Sequence, residues 1–184
     1  MTQKPIQIET DEQGMRAALQ HSAQGRGWTS PRPSVGCVIV QNGHIIGGGH
    51  TQPGDGNPHA EVVALREAAA NGSSTRSATA YVTLEPCSHY ATTPPCTSAL
   101  IEAGIARVVY GVRDPNKAID GRGARQLREA GIEVVGEFMR AECIRAQDHF
   151  LKNIVTNLPF ITLDRKSTRL NSSHSTLSRM PSSA

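Results

Sequence analysis

Two short stretches hold side chains capable of metal chemistry. Pro58-His59-Ala60-Glu61 sets an imidazole two residues before a carboxylate, and Glu85-Pro86-Cys87 is followed, after eight intervening residues, by Cys96 in Pro94-Pro95-Cys96. One imidazole and two thiolates make a three-ligand zinc set, one ion per chain, with the fourth tetrahedral position left for water. Two thiolates formally neutralise the dication, so that water needs a neighbouring base to take its proton. Glu61 is placed to be the base. Residues two apart diverge in mid-helix, but at a helix start the first residue keeps loop geometry, and His59 and Glu61 can then face one pocket. The plainer alternative is that Cys87 and Cys96 are buried core thiols, or a disulfide in an exported protein, and that His-Ala-Glu is a chance run. The order of the segments, each at a strand-to-helix junction, favours the metal reading.

The surrounding elements must deliver these groups. Asp11 to Gly25 reads as a helix with Asp11 as N-cap, and Trp28 to Pro33 as a loop. Val35 to Gln41 is β-branched and reads as a strand, Asn42-Gly43 as a tight turn, and Ile45-Ile46 as a second strand ended by Gly47-Gly48-Gly49, where backbone can approach closely. Helices are expected over His59–Asn71, with a wide apolar and well-buried surface, and over Pro94–Ala103, Arg122–Ala130 and Phe138–Phe150. Strands are expected over Thr79–Leu84, Arg107–Val112 and Ile132–Val135. Such short alternation predicts an α/β fold, a three-layer α/β/α sandwich on a central mixed sheet whose later strands run parallel. Cys96 falls in the first turn of its own helix, where free N–H groups favour a thiolate.

The other candidates have ordinary readings. Cys37 and Cys143 are expected to be core thiols, His44 solvated, and His21 and His149 plain helix residues. His50, after the glycine run, reads equally as a pocket residue or a strand-end histidine, and His89 lies between the two cysteines. Asp114 is first a turn residue.

Composition narrows the class. Apolar residues make up 38% and charged residues 19% of the 184, with a net charge of +3, as in an ordinary globular protein. Arg165, Lys166, Arg169 and Arg179 crowd the last twenty residues, and the rest is close to neutral, so no nucleic-acid partner is expected. Met1 to Gly14 has no apolar core of a secretory signal and no run reaches membrane-spanning length, so no membrane association is expected. Four cysteines without an export signal then suggest a reducing, cytoplasmic setting. Ser167 to Ala184 holds seven serines and no periodicity. It is expected to be disordered, and it resembles the run produced when assembled sequence reads through into adapter DNA.

His-x-Glu with Pro-Cys-x-x-Cys marks zinc deaminases; here the spacer is eight residues instead of two. Val82-Thr83-Leu84-Glu85-Pro86-Cys87-Ser88-His89-Tyr90 with Thr93-Pro94-Pro95-Cys96 resembles the deaminase domain of the bifunctional riboflavin-biosynthesis deaminase/reductase family (RibD type). So do Pro33 to Val40, His59 to Val62, Arg113-Asp114-Pro115-Asn116 and Gly121-Arg122-Gly123, and the likeness spans about residues 12 to 163. The resemblance implies a cytidine-deaminase-like fold, zinc on His59, Cys87 and Cys96, Glu61 as catalytic acid/base, and a phosphorylated diaminopyrimidine as the small-molecule substrate. It also implies substrate contacts at His50 and His89, to which Arg32, Ala60 and Thr92 are added as expected contacts. Two positions depart from the family: Arg32 stands where Asn is usual, and Ala91-Thr92 where Gly-Lys or Gly-Arg is usual. Arg32 could supply the missing cation to the substrate phosphate. The resulting division is a deaminase domain over 1–146, a linker and the start of an absent reductase domain over 147–163, and a disordered, non-native tail over 164–184. The family forms oligomers, so a homo-oligomer is an open expectation, with any reductase domain supplied separately. Rival readings are a same-fold deaminase of guanine, cytidine or tRNA adenosine, and a non-catalytic zinc module.

Overall fold

The computed structural model describes residues 7–90, 94–115, 121–156, 158, 160 and 161. Five strands form one sheet in the order β2-β1-β3-β4-β5, where β1 is Gly36–Gln41, β2 His44–His50, β3 Thr79–Leu84, β4 Arg107–Val112 and β5 Glu133–Val135. β1 runs antiparallel to both β2 and β3, whereas β3, β4 and β5 are parallel, so the sheet is mixed as expected. Helix α1 (Asp11–Gly25) packs on β1 and β3, with α5 (Arg140–Ala146) beside it against β4. On the other face α2 (Ala60–Ala70), α3 (Cys96–Glu102) and α4 (Arg122–Glu129) stand in a row. The core between the layers is built from Met15, Val38, Ile39, Val82, Leu100, Val108, Val109 and Leu127. No helix among the described residues is long and apolar enough to cross a membrane.

Several expectations change in detail. The N-cap of α1 is Thr10 rather than Asp11: its hydroxyl accepts from the Gln13 N–H while the Gln13 side chain accepts from the Thr10 N–H. Asp11 is thereby released to bond elsewhere. Asn42 and Gly43 carry φ of 51° and 76°, the left-handed pair of a tight hairpin turn. The glycine run does not end β2; it is the interior of that strand. A Cβ on Gly47 would meet the Ala64 carbonyl, and one on Gly49 the Ala60 carbonyl at 2.8 Å. Bare backbone is what lets α2 lie this close to the sheet. α2 itself is less buried than expected, with Ala60, Glu61, Ala64 and Ala68 inward and Ala69 exposed.

The helix expected over Phe138–Phe150 is two helices, α5 and α6 (Asp148–Thr156). Gln147 breaks it with φ −121° and ψ 20° and turns its fully buried side chain to β3, where Nε2 donates to the Thr83 carbonyl at 3.1 Å and to Thr83 Oγ1 at 3.2 Å. Cys37 and Cys143 are core thiols and His44 is exposed, as expected. The tail expected over 164–184 lies outside the described residues.

Candidate active site

Three chain segments converge at the carboxyl end of β3. His59 is the N-cap of α2 with extended φ/ψ of −74° and 165°, so its ring leaves the helix axis while Glu61 sits in the first turn. The loop after β3 carries Cys87, and Cys96 opens α3. His59 Nδ1 lies 3.1 Å from Cys96 Sγ and 3.6 Å from Cys87 Sγ. All three ligand atoms fall within 4.8 Å of one another. Zinc–sulfur bonds of about 2.3 Å and a zinc–nitrogen bond of about 2.0 Å at tetrahedral angles need donors roughly 3.5 Å apart. The cluster fits a zinc ion.

Helix α3 holds the cluster by its backbone. The Cys96 N–H donates to Cys87 Sγ at 3.3 Å and the Thr97 N–H to the Cys87 carbonyl at 3.2 Å. The first-turn N–H thus favours negative charge on the neighbouring Cys87 sulfur. A bond from the Cys96 thiol, aided by His59 and by the Cys96 N–H, holds Cys87 down to about 4 against the cost of burial. The same hydrogen bond between the two side chains, with burial, pushes the Cys96 thiol well up. His59 is raised, chiefly by its bond to Cys87. Burial raises Glu61, which is 4% exposed, and nearby His59 offsets part of that rise.

Beside the cluster opens a cavity of about 330 Å³. His59, Glu61, Cys87, Arg32, His89 and Asp114 all line it. Arg32 is braced: its guanidinium donates to the carbonyls of Gln52 at 3.2 Å, Gly54 at 2.7 Å and Asn57 at 3.1 Å, pinning the loop that leads into His59. His50 does not line this cavity but a separate groove with His21, Val63 and Glu67. Ala60 has its side chain fully buried, and Thr92 lies outside the described residues.

Sequence reasoning assigned no role to Glu85, Thr51, Phe150 or Ile154, which also line the cavity. Glu85 is 3% exposed, and its carboxylate accepts the Ala124 N–H at 3.1 Å and the Asp114 N–H at 3.4 Å. It ties the Cys87 loop to the start of α4. Its place directly before Pro86-Cys87 was the available signal. Phe150 and Ile154 gave none, being ordinary apolar residues 54 or more positions beyond Cys96.

A mixed-sheet sandwich with one imidazole, two sulfurs and a buried glutamate at a single opening defines the zinc-dependent deaminases. The family described as the cytidine and deoxycytidylate deaminase zinc-binding region matches residues 8–112, and this chain belongs to it. The chain is similar to the riboflavin biosynthesis protein RibD of Escherichia coli, at 50% identity over 83% of this chain and 41% of that protein. Among solved structures it resembles Acinetobacter baumannii RibD (TM-score 0.75, 43% identity, 82% of this chain and 41% of that one). It also resembles the Thermotoga maritima diaminohydroxyphosphoribosylaminopyrimidine deaminase/5-amino-6-(5-phosphoribosylamino)uracil reductase (TM-score 0.77, 40% identity, 82% and 42%). The chain spans about two fifths of the length of these relatives.

Proposed function

We propose that this chain deaminates 2,5-diamino-6-(5-phosphoribosylamino)pyrimidin-4(3H)-one to 5-amino-6-(5-phosphoribosylamino)uracil, a step of riboflavin synthesis. The observation that carries this reading is the His59–Cys87–Cys96 cluster opening, beside buried Glu61, into a cavity of about 330 Å³. The names of the similar proteins support the choice of ring.

His59 Nδ1 and the sulfurs of Cys87 and Cys96 would hold the zinc. When bound, the zinc supplies Lewis acidity that makes a water acidic near neutral pH. Glu61, its carboxyl raised by burial, takes the proton of the attacking water and passes it to the ring nitrogen. It then moves a second proton to the departing amine, so that water and the aminopyrimidine yield the oxo-pyrimidine and ammonia. Glu85 keeps the Cys87 loop and the Asp114 backbone in register around the ring.

The deaminase unit is assigned to residues 1–146. All four cysteines are unpaired, which suits a reducing, cytoplasmic setting. The test is ammonia release by zinc-loaded protein with the phosphorylated diaminopyrimidine beside its dephosphorylated form. Preferential turnover of the phosphorylated compound is expected; a zinc-loaded protein that releases ammonia from neither would overturn the assignment.

A further inference from the structure

The deaminase reading leaves open which residues fit the ring. Helix α6 lies beyond the matched zinc-binding region, which ends at residue 112, yet it supplies Phe150 and Ile154 to the wall of the cavity. These two are spaced i,i+4 and so share one face of the helix. Val155 lies off that face, is 71% exposed and does not line the cavity.

The start of α6 is fixed twice. Arg26, just past α1, donates through Nη2 to both Asp148 oxygens at 3.0 and 3.1 Å. Gln147 reaches Thr83 with two bonds from one nitrogen. Thr83 lies on β3, the strand that runs into Glu85 and Cys87. The apolar wall and a metal ligand are thus registered on the same strand, although more than sixty residues of chain separate them.

We propose that α6 is the specificity wall of this deaminase, with Phe150 and Ile154 setting the fit of the pyrimidine ring. The proposal rests on the deaminase reading above. The metal ligands and Glu61 carry the chemistry; the helix selects what reaches them. A lost apolar contact in such a pocket changes discrimination by about tenfold or more.

The experiment is steady-state ammonia release with the phosphorylated diaminopyrimidine for wild type, Phe150→Ala, Phe150→Leu, Ile154→Ala and Val155→Ala, each with its zinc content measured. Expected is a KM raised about tenfold or more in Phe150→Ala, partly restored in Phe150→Leu and raised less in Ile154→Ala, with kcat changed far less and one zinc retained. Val155→Ala should match wild type. Ile154, half exposed, keeps the test open should Phe150→Ala fold poorly. If wild type turns over and KM stays unchanged in both Phe150→Ala and Ile154→Ala, the wall assignment falls alone. If zinc-loaded wild type deaminates no pyrimidine, the functional reading falls and takes this one with it.

Discussion

The backbone N–H of Cys96 donates to the sulfur of Cys87 at 3.3 Å, so one member of the donor cluster is held by the main chain of another. The geometry of the pair follows from the first turn of α3 rather than from side-chain packing, and the eight-residue spacer needs only to return the chain to that turn.

Loss of one sulfur therefore removes both a ligand and a local tie. Cys87→Ser is expected to lose zinc and some stability, because the metal binds folded protein preferentially. A chelator should lower the melting temperature of wild type and leave Cys87→Ser unmoved. Stoichiometric, tightly held zinc in that variant would count against the ligand set.

Glu61→Gln keeps shape and charge-free volume while removing the proton carrier. Zinc content is expected to stay at one per chain, with turnover falling about a hundredfold or more. Near-normal ammonia release from the zinc-loaded variant would refute the role.

Glu85→Ala would remove the acceptor of the buried Ala124 N–H and of the part-buried Asp114 N–H. Each unsatisfied buried donor costs about 1–3 kcal/mol, so a clear drop in the denaturant midpoint is expected. An unchanged midpoint would show that the carboxylate does not hold the α4 start.

Far from the cavity, Arg107 bonds Asp11 at 2.6 and 2.8 Å and Glu133 at 2.9 Å, joining α1, β4 and β5. The Arg107 bond, with help from the Tyr81 hydroxyl, holds the Asp11 carboxyl below its ordinary value. A depressed folded value gives stability that is complete above the unfolded value and is lost as pH falls through the folded one. The unfolding midpoint of wild type should exceed that of Asp11→Asn at pH 6, and the gap should close below about pH 4. A gap constant from pH 6 to pH 2 would exclude the linkage.

Gly47→Ala places a methyl group against the Ala64 carbonyl. Backbone cannot yield as a side-chain tip can, so α2 must move, at a cost of about 1–3 kcal/mol. Weaker zinc retention should accompany the lost stability, since α2 begins at the metal site. Stability lost with zinc affinity unchanged would separate the helix seat from the site.

Much of this was legible in the residues. β3 and β4 were read to the residue because β-branched runs bounded by turn signals are local information, and the His59, Glu61, Cys87 and Cys96 set was read from ligand chemistry. The break at Gln147 was not, since its cause is Thr83, sixty-four residues away in the chain. The glycines of β2 read as a strand end in sequence because their reason, the backbone of α2, is likewise distant along the chain. His50 was weighed for the pocket on that same run and lines a different groove. Glu85 went unassigned, despite its place before Pro86-Cys87, because the N–H groups it accepts from, those of Asp114 and Ala124, are distant in sequence.

The glycine seat beneath α2 also limits how this site can diverge. Gly47 and Gly49 offer no side chain to enlarge or trim, so the height of the helix above the sheet is set by close contact with bare strand backbone. Altered reach between imidazole, carboxylate and sulfurs must then originate in the helix or in the cysteine loops, while the strand acts as a fixed datum.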